Sequence, residues 1–468
     1  MSDPLDELVA ILRSQEADRL RGRKVIVFAP VLAATATRVE HYRQLGVTAQ
    51  LVVTFGDGTG PLPSGDDLTV VRTGYGAPVR SATDELSAWT RLLDGPPVEV
   101  LEAVERFDPT GAALVISTTP TASPRLIFGR ASFGGRSAAD EALEDKTLCG
   151  PIFTAAGLAT APEEIVTADR RSLRAGAARL DEGAGVVVSA DASHGLNGGA
   201  SKVWWLRPGA EPEPILERVC ASGRTARVMP FLEGQPCSIH GIVTDQGVLI
   251  LRPVELCMLR PVGGTGFVQA GISSWWDPSA AQRHQMRAAA RATGEVLARV
   301  HGYRGAFGID GILTAEGFRA HELNPRFSGG ISALNKGVDV PLNLLDQTVR
   351  SGVHLDFDAD AVEQRLLDEL DAHRFGTAYL STGSVSPSET TTVLVTGTPD
   401  ELRSCDDEGA AVGRLELGPA AMGGLVRFTP HRCTPGTRLT PWTAAALELA
   451  DSLWHTDFGA MEQPVEWR

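Results

Sequence analysis

The spacing of its unbroken apolar runs constrains this chain most. Lys24–Ala29 (KVIVFA) and Ala49–Phe55 (AQLVVTF) are short, continuous and rich in β-branched residues, with a helical stretch around Arg38–Leu45 between them. A strand buried on both faces reads this way, whereas a half-exposed strand alternates. Further strand-like segments recur at 68–72, 114–117 and 126–128. Residues 4–20 predict an amphipathic helix: Leu5, Leu8, Val9 and Leu12 share a face, and Asp3-Pro4 is a start signal. Strands alternating with helices predict an α/β unit on a mostly parallel sheet. No GxGxxG follows the first strand, so the dinucleotide fingerprint is absent.

Downstream, residues 130–135 read as a linker or a substrate-facing loop, and 138–157 as one helical stretch. A strand at 186–189, a Gly/Asn-rich loop at 194–201 (HGLNGGAS) and a strand at 202–206 follow. Residues 226–251 read as strands broken by turns at 233–234 and 245–247. A glycine-rich loop at 261–271 precedes a long Ala- and Arg-rich helix from Ser279 to Val300. Beyond residue 356 come a helix near 361–373, several short strands and a helix near 441–455. At ~150 residues per domain, 468 residues leave room for three units. We place them at 1–140, at 141–355 (lobes of about 141–225 and 226–355) and at 356–468.

The formal net charge of -15 argues against a duplex-binding or membrane-binding surface, which is usually basic. The six cysteines stand at 149, 220, 237, 257, 405 and 433, with no CxxC pair and no histidine cluster beside them. Reduced, packed thiols are expected rather than a zinc site or disulfide framework. The first residues lack the basic and long apolar regions of a signal peptide, and no apolar stretch is long enough to span a bilayer. A cytoplasmic location is therefore expected. Only four lysines occur, Lys24, Lys146, Lys202 and Lys336, which draws attention to each.

The stretch most informative about chemistry is Phe307–Gly330 (FGIDGILTAEGFRAHELNPRFSGG). It predicts a hairpin folding about Glu316, with Asp310 opposite Glu322 to within one residue of register. Asn324 projects from the same face as Glu322. Two carboxylates and a carboxamide are hard oxygen ligands, suited to Mg²⁺ shared with phosphates. Pro325 ends the ladder, and Arg326 lies just beyond, within reach of a transferring phosphoryl group.

Glu322-Leu323-Asn324-Pro325-Arg326, preceded by Gly308-Ile309-Asp310-Gly311, resembles the ExNPR signature of the ATP-grasp superfamily. The resemblance implies a Rossmann-like domain preceding a two-lobed ATP-grasp domain, with a small C-terminal α+β region; the fold class is thus α/β (α+β). It implies that Asp310, Glu322 and Asn324 bind magnesium and that Arg326 contacts the phosphoryl group or the activated carboxylate. Three further segments carry it. Leu143–Lys146 (LEDK) resembles the helix whose lysine contacts ATP phosphates, here Lys146. Val186–Ser189 and the loop after it resemble the phosphate-covering segment, implying contacts from Gly195, Gly198 and Gly199. Ser189 stands where a lysine is usual, and Lys202 is the candidate substitute. Arg227–Ser238 (RVMPFLEGQPCS) resembles the adenine hinge, implying contacts from Pro230, Phe231, Leu232 and Glu233, although Pro236 occupies the position where a ribose-binding glutamate is usual.

Arg252, Glu255 and Arg260 flank the 261–271 loop; Arg252 and Arg260, with Arg326 and Ser328, are candidates to bind the carboxylate substrate. Lys336 lies downstream as a weaker candidate, and His240 and His301 read as packed histidines. The activity implied is ATP-dependent carboxylate–amine ligation through an acyl phosphate, with ATP and Mg²⁺ as cofactors. Segments such as Leu143–Lys146 and Pro236–His240 are also similar to the peptide ligases of pheganomycin-type biosynthesis, implying a role in secondary-metabolite peptide (antibiotic) biosynthesis. Small-molecule or peptide acids and amines would be the partners, with no nucleic acid and no membrane; a homodimer stays open. Two alternatives stand: a carboxylase of the biotin-dependent kind, and a nucleotide-binding scaffold with degraded catalysis.

Overall fold

The expected apolar runs become the centre of a six-stranded sheet. The structure, a computed structural model, describes residues 3–193, 200, 202–431 and 434–465. The first sheet comprises β1 (Lys24–Val31), β2 (Ala49–Gly56), β3 (Leu68–Arg72), β4 (Leu114–Ala122), β5 (Leu126–Ile127) and β6 (Arg130–Arg136), in the order β3-β2-β1-β4-β6-β5. All pairs are parallel except β5 with β6. Alternate residues of β1 serve two cores, as the strand period of two requires. Val25 and Val27 pack with Leu5, Leu8 and Leu12 of helix α1 (Pro4–Leu20). Ile26 and Phe28 pack with Trp89 of α3 (Ala82–Asp94) and with Val100 and Val104 of α4 (Val98–Phe107). Helix α2 (Ala36–Gln44) follows β1. Residues 130–135, expected as a linker or loop, form strand β6 instead. Buried Phe133 anchors it, and Gly134 and Gly135 take the positive φ angles needed where it ends.

The expected helix at 138–157 is two short ones, α5 (Ala138–Ala142) and α6 (Cys149–Ala155). Between them, Asp145 Oδ1 accepts from both the backbone N–H and the hydroxyl of Thr147, turning the chain locally. A second, antiparallel sheet holds β7 (Glu164–Thr167), β8 (Val186–Ala190), β9 (Val203–Leu206) and β10 (Thr225–Pro230), ordered β7-β10-β8-β9. Leu173 of α7 (Arg170–Leu180) and Ile215, Leu216 and Val219 of α8 (Glu213–Ser222) cover one of its faces.

The third sheet has twelve strands. They are β11 (Gln235–Val243), β12 (Val248–Ile250), β13 (Val254–Pro261), β14 (Val268–Ser273), β15 (Gly305–Thr314), β16 (Gly317–Asn324), β17 (Gly376–Thr382), β18 (Thr391–Thr398), β19 (Glu401–Cys405), β20 (Gly413–Ala420), β21 (Gly423–Pro430) and β22 (Met461–Glu462). Its main path is β16-β15-β11-β13-β14-β17-β21-β20-β18-β19, with β12 on β11 and β22 on β13. Strands from both sides of residue 355 thus share one sheet through β14 and β17. The glycine-rich loop expected at 261–271 is shorter, because Met258 and Leu259 of β13 pair with Gln269 and Val268 of β14.

Helix α9 (Ala280–His301) starts at a Ser279/Gln282 capping box, ends at left-handed Gly302 and packs on this sheet. Then follow α10 (Gly329–Gly337), α11 (Leu342–Arg350), α12 (Ala359–Ala372) and α13 (Thr440–Trp454). Buried Glu255 on β13 accepts from the N–H groups of Leu439 and Thr440, the Thr440 hydroxyl and Arg438 Nε, binding the start of α13 to the sheet. No helix among the described residues is long and apolar enough to cross a membrane.

Candidate active site

The hairpin β15–β16 sets the floor of a cleft between the second and third sheets. Asp310 pairs directly with Glu322, and Gly308 with Asn324, as the alternation requires. A bulge follows Asp310 in this pairing, so the hairpin twists more sharply at the acidic residues. Asn324 Nδ2 donates to Asp310 Oδ2 at 3.0 Å, which places the amide and the carboxylate on one face. Arg326 Nη2 donates to Asn324 Oδ1 at 3.1 Å. Asp310, Glu322, Asn324 and Arg326 all line a cleft of about 290 Å³.

Charge is tightly coupled here. Lys146, 3% exposed, pairs with Glu322. Burial opposes the charge on Glu322, but Lys146 more than offsets it and holds that carboxyl below its usual range. Burial, reinforced by the neighbouring Glu322, raises Asp310. Glu144 connects this floor to the first sheet: Oε1 accepts from Arg326 Nε at 2.7 Å and Oε2 lies 2.5 Å from Arg136 Nη1. Burial would raise the Glu144 carboxyl, yet the two guanidinia bring it below the ordinary value. The donor set of Asp310, Glu322 and Asn324 is all hard oxygen, which fits magnesium. Among the described residues no group of three His, Cys, Asp or Glu is placed to hold a metal.

The far wall is the segment joining the second sheet to the third. Pro230, Phe231, Leu232 and Glu233 line the cleft, as does Ser189 on β8. Phe231 stacks on Trp205 with centroids 4.0 Å apart. Arg260 lines the same cleft; its Nη1 donates to Glu233 Oε2 at 3.3 Å and its Nη2 to Gln463 O at 2.9 Å. Val465 N in turn donates to Glu233 Oε1, so the segment after β22 crosses this wall. Gly195, Gly198 and Gly199 lie outside the described residues. Lys202, half-buried at left-handed φ 58°, sits just past them and is not part of the cleft lining. Asp145 Oδ2 accepts from Ala192 N at 3.0 Å, tying the near end of that loop to the LEDK segment.

Ser328 lines the cleft and caps α10, accepting from Ile331 N. Arg252 departs from expectation. It is 2% exposed, and its guanidinium donates to Ser274 O, Trp276 O, Asp277 and Asp371 outside the cleft. An arginine so fully bonded is a brace and not a substrate contact. Glu255 likewise faces α13 rather than a ligand.

His240, read from the sequence as a packed histidine, is buried as expected, and sequence reasoning passed over several other cleft residues. His240 lies in the wall, with Nε2 3.1 Å from Ser238 Oγ and Nδ1 buried without a partner; burial pushes its pKa down to about 3. Leu256, Met258, Ile272 and Tyr379 give the cleft an apolar side. Buried Arg227 donates to His321 O at 2.6 Å across the two sheets. Glu144 had a visible signal, its place two residues before Lys146; the apolar wall had none, because alternate residues of any buried strand read the same way.

The parallel sheet, the small antiparallel sheet and the large antiparallel sheet make a mixed α/β fold in which a carboxylate–amide–arginine floor faces the 230–233 segment. The structure is similar to the biotin carboxylase domain of Hydrogenobacter thermophilus 2-oxoglutarate carboxylase (TM-score 0.53, 14% identity, covering 87% of this chain and 86% of that one). It is similar also to a carboxyaminoimidazole ribonucleotide synthase from Aspergillus clavatus (TM-score 0.51, 12% identity, 92% and 99% covered). A biotin carboxylase from Campylobacter jejuni gives a TM-score of 0.50 at 12% identity, with 86% and 87% covered. No protein-family model matches the chain, and no curated protein does either.

Proposed function

We propose that this chain is an ADP-forming ligase that activates a carboxylate with ATP and joins it to an amine. The observation that carries the proposal is the convergence of Asp310, Glu322, Asn324 and Arg326 on one hairpin face, across the cleft from the 230–233 hinge. The A. clavatus synthase was solved with ATP and the H. thermophilus domain with MgADP and bicarbonate, which supports a nucleotide in the corresponding cleft here.

In this reading the hinge holds the adenine and Ser189 the phosphate side. Asp310, Glu322 and Asn324 would hold magnesium, which would supply charge neutralisation for the phosphates. The substrate carboxylate attacks the γ-phosphorus, ADP leaves, and an acyl phosphate forms. Arg326, held by Glu144, stabilises the charge on the transferring phosphoryl group. Lys146 keeps Glu322 ionised. A neutral amine then attacks the acyl carbon and releases phosphate. Domains divided near residues 140 and 355, a cytoplasmic setting and a homodimer belong to the same proposal.

The finer reading is a peptide ligase of the pheganomycin-related kind. The apolar wall of Leu256, Met258, Ile272 and Tyr379 supports it, because it suits an acid with an apolar body better than bicarbonate. A coupled ADP-release assay with pooled acids and amino acids, with bicarbonate plus biotin as a parallel arm, tests the proposal. Expected is ADP release that requires both an organic acid and an amine, reduced roughly a hundredfold or more in Glu322→Gln. Unchanged release by Glu322→Gln would remove the metal role. Release driven by bicarbonate and biotin alone would establish the carboxylase.

A further inference from the structure

A second cavity, of about 240 Å³, lies beyond Arg326 on the side of the first sheet. Its walls come from α2, from Ser117 just past the last pair of β4 with β1, from the end of β6, and from α10 and α11. That is the crevice outside the carboxyl ends of a parallel sheet, where the strand order reverses between β1 and β4. Four arginines line it: Arg38, Arg136, Arg326 and Arg350. The wall holds one carboxylate, Asp346, and its Oδ1 already accepts from Ala306 N and Arg350 Nε.

Arginines do not gather round a cavity without reason. Guanidinia are permanently charged, and a buried one needs anionic or carbonyl partners. Arg136 and Arg350 have side chains 4% exposed. Of their carboxylate partners, Asp346 on Arg350 lies in the cavity wall, whereas Glu144, Glu141 and Asp140 are not part of the lining. Arg136 Nε and Arg350 Nη1 remain without a hydrogen-bond partner, and the approach of Asp140 to the latter, 3.7 Å, exceeds hydrogen-bond reach. The cavity is large enough for several waters or for one small oxyanion with its carrier.

The geometry points to a subsite for a substrate oxyanion, a carboxylate or a phosphate distinct from the carboxylate being activated. This placement rests on the ligase reading, because Arg326 then belongs to both cavities and the anionic handle orients a substrate toward the phosphoryl-transfer floor. One of the two joined molecules therefore carries an anionic group in addition to its reacting one.

Isothermal titration of the full chain with inorganic phosphate and with glutarate tests this, and the preferred probe identifies which oxyanion the subsite takes. Saturable binding of at least one is expected, weakened fivefold or more in Arg38→Gln, whose half-buried position tolerates the change, and in Asn343→Leu, which narrows the cavity. Absence of saturable binding, or equal affinity in both variants, overturns the subsite. Titration with MgADP runs in parallel: loss of MgADP binding with anion binding retained would sink the ligase reading and leave the subsite standing, and the reverse result separates them the other way.

Discussion

Glu144 sits where two guanidinia meet, and its removal shows what single residues contribute to this floor. Replacing it with Gln leaves Arg136 and Arg326 less well compensated, at a cost of about 3 kcal/mol. A lower denaturation midpoint and a lower kcat are expected, with little change in the KM for ATP; an unchanged kcat would detach Arg326 from the chemistry. His240 supplies a pH prediction. Burial pushes its folded pKa down to about 3, below the usual imidazole value of about 6.5, so the folded state binds fewer protons there as pH falls. Stability is full above about 6.5 and declines below it, by about 1 kcal/mol at pH 5.5 relative to pH 7.5. Urea melts at the two pH values check this, and His240→Gln should flatten that difference. The hairpin register of Asp310, Glu322 and Asn324 was legible because period-two alternation and a short turn leave little freedom. Arg252 was misread because charge in a sequence does not show whether nearby carbonyls already satisfy it.

Among the elements, α10 and β11 are fitted together through a glycine. A Cβ on Gly330 would overlap the His240 ring. Gly330→Ala should therefore displace either the helix start or the imidazole, destabilising the chain by roughly 1–3 kcal/mol. Differential scanning calorimetry reads this directly, and an unchanged melting temperature would mean the ring moves freely. Helices with strong end signals were legible, as with α9 between its capping box and Gly302. Strand β6 was not, because Arg, Ser and Gly are poor strand formers and only the parallel pairing with β4 makes a strand of them. The break between α5 and α6 depends on a side-chain turn at Asp145 that helical periodicity conceals.

At the scale of the molecule, alternating strands and helices made the parallel sheet legible. The sequence held no sign that the C-terminal strands extend the same sheet, because pairing partners 100 residues apart leave no local pattern. That continuity through Gly271–Ser273 and Gly376–Ala378 has a practical consequence for dissecting the protein. Removing the chain from Gly376 onward would bare an edge at β14, and it would strip Glu255 of its partners on α13. A shortened protein of that kind should self-associate or precipitate, as size-exclusion chromatography would reveal, since open backbone edges recruit other strands. The cleft and the C-terminal strands are one mechanical plate, so that strain applied at its outer rim is felt at the floor where the acids stand.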